Sequence, residues 1–188
     1  MARPDVHLLS RWELAAAPQE VYDLVTDPAS LPRWWPSVFL DANVLEAGDA
    51  RGVGRVVEVA TAAFLPVTLR WRFRVTAAQP PERLFMETTG DLEGLGLWAF
   101  EPAEKQVVVR LHWRGHVAKG GWRHLPTLVT PLLRRSHRWA MDRGFTSLLL
   151  EVWRRRTTSE EARAWLPQPP RPAFPHNLRR RIAPRRAP

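Results

Sequence analysis

The 188-residue chain is predicted to be α+β: a curved antiparallel sheet of about seven strands around one long C-terminal helix, with two short helices after the first strand. Three observations carry this prediction. Residues 66–77 and 106–117 alternate apolar and polar side chains with the period of two that a half-buried strand requires. From about Leu125 to Arg156 the period changes to that of a helix. Between residues 18 and 36, Pro18, Pro28 and Pro36 cut the chain into helical pieces too short to be core helices by themselves.

Taken in order, Val6 to Leu14 mixes Leu, Trp and charges and forms the first strand. Pro18 stands at a helix start, where its missing N–H costs nothing, and residues 18–26 turn Val21, Leu24 and Val25 inward. Ala29 to Trp35 make the second short piece. Strands follow at Val38 to Glu46, Gly52 to Thr61, Pro66 to Ala77, Arg83 to Thr89, Leu92 to Glu101 and Gln106 to Val117. In the fourth strand Val67, Leu69, Trp71, Phe73 and Val75 share one face, and arginines and threonines share the other. In the seventh, Val107, Val109, Leu111, Trp113 and Val117 oppose Arg110, His112, Arg114 and His116. One face of the sheet is therefore apolar and the other wet, as in an antiparallel meander. On the last helix Leu133, His137, Met141, Gly144, Phe145, Leu148 and Val152 fall on one stripe, which should lie on that apolar face. A seven-stranded sheet is too wide for one helix to cover, so this architecture implies a hollow between them.

Composition narrows the chemistry. Without cysteine the chain has no disulfide, thiolate metal site or catalytic thiol. It has no run of about 18 apolar residues and no apolar stretch in Met1 to Asp5, and the expectation is a cytoplasmic protein. Of the net charge of +9, residues 157–188 hold +5, from seven Arg against two Glu. That segment is rich in proline and is expected to be a mostly disordered tail, outside a single domain of residues 1–156. Its cluster of Asn177 to Arg181 with Arg185 and Arg186 suits an anionic membrane surface. The folded part is only mildly basic, so nucleic acid is not an expected partner.

Four stretches carry a likeness to a known family. They are Ala17 to Tyr22 continuing through Asp27-Pro28 to Leu31-Pro32-Arg33-Trp34-Trp35-Pro36; Leu65-Pro66-Val67-Thr68-Leu69-Arg70-Trp71; Asp91 to Glu101; and His137-Arg138-Trp139-Ala140-Met141-Asp142-Arg143-Gly144. In their order and spacing, over about residues 5–156, the chain resembles the START-like helix-grip superfamily, in its polyketide cyclase/dehydrase-like (SRPBCC) branch of small bacterial proteins. The resemblance implies a hydrophobic cavity between sheet and terminal helix that takes a lipid, a polyketide or an isoprenoid-like molecule. Some members of the family are cyclases or dehydratases, and others bind or transfer ligands. The expected function is binding of an apolar small molecule, and the alternative is a polyketide cyclase/dehydratase-type enzyme in the same cavity.

The candidate ligand-binding residues are Trp34, Trp35, Trp71, Phe73, Phe85, Trp98, Phe100, Trp113, His137, Met141 and Phe145. Rings on the apolar face either wall a pocket or fill it as plain core. Gly94 and Gly96 share parity with Trp98 and Phe100 and leave space beside them. Gly144, on the inward stripe, implies close approach of sheet or ligand. His137 is the candidate catalytic residue, as a ligand hydrogen-bonder or an acid/base, against the plainer reading of a satisfied core histidine. Glu87 shares parity with Phe85, and an inward carboxylate there would be a general acid/base, against the plainer reading of a solvated or Arg-paired surface acid. His112 and His116 on one strand stand about 13 Å apart and cannot chelate one ion, so neither metal nor cofactor is expected. Trp139, Thr146, Leu150 and Trp153, with Arg135 and Arg143, fall on the helix face opposite His137 and suggest contact with a membrane surface.

Overall fold

The computed structural model describes residues 6–120 and 126–174, with the side chains of 126–129 outside that description. The elements are β1 (Val6–Leu14), α1 (Pro18–Val25), a 3-10 turn (Pro28–Ser30), α2 (Leu31–Trp34), β2 (Phe39–Glu46), β3 (Val56–Ala62), β4 (Thr68–Gln79), β5 (Arg83–Gly90), β6 (Leu92–Ala103), β7 (Gln106–Val117), α3 (Pro126–Arg156) and α4 (Glu160–Ala164). The sheet has seven antiparallel strands in the order β1-β7-β6-β5-β4-β3-β2. β2 to β7 is thus a meander, and β1 joins it beside the last strand. The fold is a helix-grip α+β architecture.

Local chemistry explains the boundaries. α1 begins on Pro18 and buries Val21, Tyr22, Leu24 and Val25. It ends where Thr26 donates both its N–H and its hydroxyl to the Tyr22 carbonyl. The Asp27 carboxylate accepts from the Ala29 N–H at 3.2 Å and starts the next turn. β3 begins at Val56 rather than at Gly52. Gly48, Gly52 and Gly54 take positive φ of 75°, 83° and 84°, which a strand does not allow, while Asp49 Oδ1 accepts from the N–H groups of Arg51 and Val53.

Side-chain parity follows the sheet. Leu8 faces Trp113 across β1 and β7, Trp71 faces Val59 across β4 and β3, and Leu84 faces Trp98 across β5 and β6. A bulge between Val75 and Ala77 in β4 shifts the register, so that Val75 opposes Met86 while Ala78 opposes Leu84. α3 lays its expected stripe on the sheet: Met141, Leu148 and Val152 are buried. Ser136, Ser147 and Glu151 are buried on the same helix, and no hydrophobic pattern marks them.

The interior is divided. A large cluster holds Trp12, Trp34, Trp35, Trp98 and Phe100 together with α1. A small one holds Val6, Leu8 and Trp113, with Leu92 and Leu133 against it. Within the tail segment, Ser159 caps α4 by accepting from the Ala162 N–H, and Arg154 reaches the Pro167 carbonyl at 3.1 Å. This helix precedes the first tail proline, Pro167, which cannot continue a helix interior. The basic cluster from Asn177 onward lies outside the described residues.

Candidate functional site: a cavity under the long helix

Between the concave face of the sheet and α3 lies a cavity of about 470 Å³. Of the candidate ligand-binding residues, Trp35, Trp71, Phe73, Trp98, Trp113, His137 and Met141 stand on its wall. Two of the rings are held by hydrogen bonds. Trp71 Nε1 donates to Thr61 Oγ1 at 2.8 Å, and Trp113 Nε1 donates to Thr88 Oγ1 at 3.2 Å. The ring planes are therefore set by the strands that carry their acceptors, and the wall is preformed.

Four expected wall residues lie elsewhere. Trp34 is fully buried and stacks on Trp35 with centroids 5.4 Å apart, which makes it core. Phe100 is buried against Tyr22 at 5.3 Å, and Phe145 packs on Trp12 at 6.3 Å. Phe85 is a correction of face. Leu84, Met86 and Thr88 point into the cavity, so Phe85 and Glu87 point to the outer side of the sheet. β5 is apolar on both faces at Leu84, Phe85 and Met86, so its parity could not be read without the bulge in β4.

The space beside the strand glycines is also taken. A Cβ on Gly96 would lie 2.9 Å from Met86 Cγ, and one on Gly94 would lie 2.7 Å from Gly115 Cα of the paired strand. These glycines admit a side chain and a neighbouring backbone, not a guest. The close approach expected at Gly144 comes from Trp35. A Cβ there would lie 2.5 Å from Cε2 and 2.9 Å from Cη2 of the indole. Gly144→Ala should therefore destabilise the protein by about 1–2 kcal/mol in urea unfolding. The overpacking against Trp35 outweighs the ~1 kcal/mol that Ala gains over Gly in a helix. A stabilised variant would show that the indole yields freely.

Polar groups are few and placed apart. At one end Arg51 and Arg55, from the loop between β2 and β3, join Gln19, Tyr22 and Asp23 of α1 on the wall. Arg55 donates Nη1 to the Thr26 carbonyl and Nε to the Ala47 carbonyl, both at 3.1 Å, and so ties α1 to that loop. Burial raises the pKa of the Tyr22 phenol, which is thus a neutral donor throughout the physiological range.

Elsewhere on the wall stands His137, whose Nε2 lies 2.9 Å from Ser10 Oγ on β1. Burial disfavours the imidazolium and lowers the pKa to about 4, so the ring is neutral at pH 7. Ser10, Tyr22, Arg55, Leu84, Met86 and Thr88 were not anticipated. The parity of Ser10 with Leu8 and Trp12 is the one sequence signal that could have found it.

On the outer face of the sheet, His116 Nε2 lies 3.3 Å from Glu93. Among the described residues no cluster of three or more His, Asp or Glu side chains could hold a metal ion. No described helix is long and apolar enough to cross a membrane. The helix face opposite His137 is only partly open. Trp153 is exposed, but Leu150 is buried, and Trp139 packs against the core with Arg143 5.6 Å above its ring.

Solved structures share the fold. The Zhui aromatase/cyclase from Streptomyces sp. R1128 aligns with a TM-score of 0.69 at 15% identity, over 84% of this chain and 99% of that one. The protein TTHA0849 from Thermus thermophilus aligns at 0.63 and 19%, over 78% and 99%. A norcoclaurine synthase point mutant from Thalictrum flavum, in complex with a transition-state analogue, aligns at 0.60 and 15%, over 84% and 99%. No curated protein matches the chain in sequence. Residues 7–149, from β1 to well within α3, match the family described as polyketide cyclase/dehydrase and lipid transport, and the chain belongs to that family.

Proposed function

We propose that the protein binds a hydrophobic small molecule, of lipid, polyketide or isoprenoid type, between the sheet and α3. The observation that carries this is the hollow itself. Three of the indoles gather at the α1–α2 end, where Trp12 contacts both Trp35 and Trp98 at 5.7 Å, and they leave about 470 Å³ unfilled beyond them. Protein interiors otherwise pack to crystal density, so a space of this size with apolar walls is a cost unless something occupies it. The volume lies within the roughly 300–1,000 Å³ of sites that take drug-sized ligands.

Extraction of the purified protein followed by mass spectrometry should release an apolar molecule, and an apolar dye should brighten on binding. Ala140, on the α3 side of the wall, gives the direct test. In Ala140→Trp the indole fills the hollow, so dye affinity should fall at least about tenfold while stability changes by less than about 1.5 kcal/mol. Undiminished dye binding in a folded Ala140→Trp protein would place the dye elsewhere and sink the proposal.

A cyclase or dehydratase acting through His137 is the second reading, since that ring does stand on the wall. Its pKa weakens the case. At about 4, only about one ring in a thousand is protonated at pH 7, so it is a poor acid, and as a base it is far weaker than a free imidazole. The arrangement favours holding a ligand over moving its protons.

A further inference from the structure

His137 and Ser10 bear on what a guest must offer besides apolar surface. Ser10 is half-buried on the inner face of β1, opposite Leu111, and its hydroxyl lies 2.9 Å from His137 Nε2. Two proton arrangements satisfy that contact. If Nε2–H donates to the hydroxyl, the serine proton and the Nδ1 lone pair are both left without a partner among the described residues. If the hydroxyl donates to Nε2, only the Nδ1–H is left. Unsatisfied buried polar groups each cost free energy, so the second arrangement, with fewer of them, is favoured. It fixes the tautomer with its proton on Nδ1, on a ring that stands on the cavity wall.

Of the other polar side chains of the wall three are engaged, while the Tyr22 hydroxyl and Trp35 Nε1 are buried with no hydrogen-bond partner among the described residues and are further donors. Thr61 accepts from Trp71; Thr88 accepts from Trp113 and donates to the Gly94 carbonyl. The Arg55 guanidinium is engaged with two backbone carbonyls. His137 itself is neutral, so it presents a donor without a positive charge, and an anion gains little there over an uncharged acceptor.

We infer that the His137 end of the cavity selects apolar molecules bearing an uncharged hydrogen-bond acceptor, such as a ketone or ester carbonyl, which the Nδ1–H of His137 receives. The inference rests on the binding proposal above and adds to it the polar feature of the ligand.

Fluorenone and fluorene test it, because they share a tricyclic shape and differ by one carbonyl. The quantity read is the ratio of their dissociation constants, fluorene over fluorenone. In His137→Phe this ratio should fall about three- to tenfold from its wild-type value, the worth of one neutral hydrogen bond, with fluorene affinity little changed. Ser10→Ala releases the tautomer and should lower the ratio in the same direction. In the wild-type protein the infrared carbonyl stretch of bound fluorenone should lie below its position in an inert apolar solvent. This last measurement needs no variant to fold. An unshifted carbonyl band, or an unchanged ratio in both variants with both probes bound, overturns the inference and leaves the binding proposal standing. If neither probe binds the wild-type protein, both are overturned.

Discussion

Glu151→Ala is expected to lower the unfolding free energy by about 3–5 kcal/mol, read from the urea midpoint at unchanged slope. The Glu151 side chain is 2% exposed. Its Oε1 accepts from Arg33 Nη2 at 2.8 Å and from Arg155 Nε at 3.3 Å, and its Oε2 accepts from Arg154 Nη1 at 3.3 Å. Burial works to raise its pKa, but the hydrogen bonds and charge of Arg33, with the bonds from Arg155 and Arg154, outweigh this and hold it below the usual carboxylate value. The carboxylate is thus ionised and fully engaged. Two of the three arginines come from its own helix, while Arg33 comes from α2, the helix that leads into Trp35 on the cavity wall. Removing the carboxylate leaves a void and unlinks α2 from α3. The Arg33 control should be milder, because its guanidinium is 55% exposed and two partners remain for the acid. If Glu151→Ala costs less than Arg33→Ala, the buried acid is not what clamps the two helices.

The second large effect is a loss of stability between pH 6.5 and pH 4 that belongs to His137 alone. The sign follows from linkage. Burial places the folded-state pKa at about 4, against about 6.5 when unfolded, so as the pH falls the unfolded chain takes up this proton first. Stability from the neutral ring is fully present above about pH 6.5 and declines through the window down to about 4. Its full extent is about 3 kcal/mol, at about 1.4 kcal/mol per pKa unit. Acidic groups add their own decline, so the measured quantity is the difference between the wild type and His137→Leu. That difference should shift in favour of the variant by up to about 3 kcal/mol from pH 7.5 to pH 4. Parallel stability curves would mean that the imidazole is hydrated.

Legibility in the sequence depended on how regular each segment is. β4 and β7 alternate over a full strand, so the inward faces of Trp71, Phe73 and Trp113 could be read directly. The stripe of α3 placed Met141 and His137 on the cavity side for the same reason, with the helical period instead. Phe85 failed because β5 is apolar on both faces, and a bulge in the neighbouring strand set which face turned in. Phe100 and Phe145 lie on the apolar side that their parity and stripe require, but burial on that side does not tell a wall from a core. Ser10 and Glu151 escaped because polar residues on buried faces break the hydrophobic pattern that reveals such faces.

By itself the sequence determined the strand and helix order and the polarity of the two sheet faces, because periodicity and turn chemistry are properties of neighbouring residues. The tertiary structure decided where the interior is empty and which polar atoms meet there. The Ser10–His137 contact joins residues 127 positions apart, and Arg33–Glu151 joins residues 118 apart. Whether the space beneath α3 is filled depends on the summed volumes of side chains from every strand. A volume enclosed by distant segments exists only once the chain has closed around it.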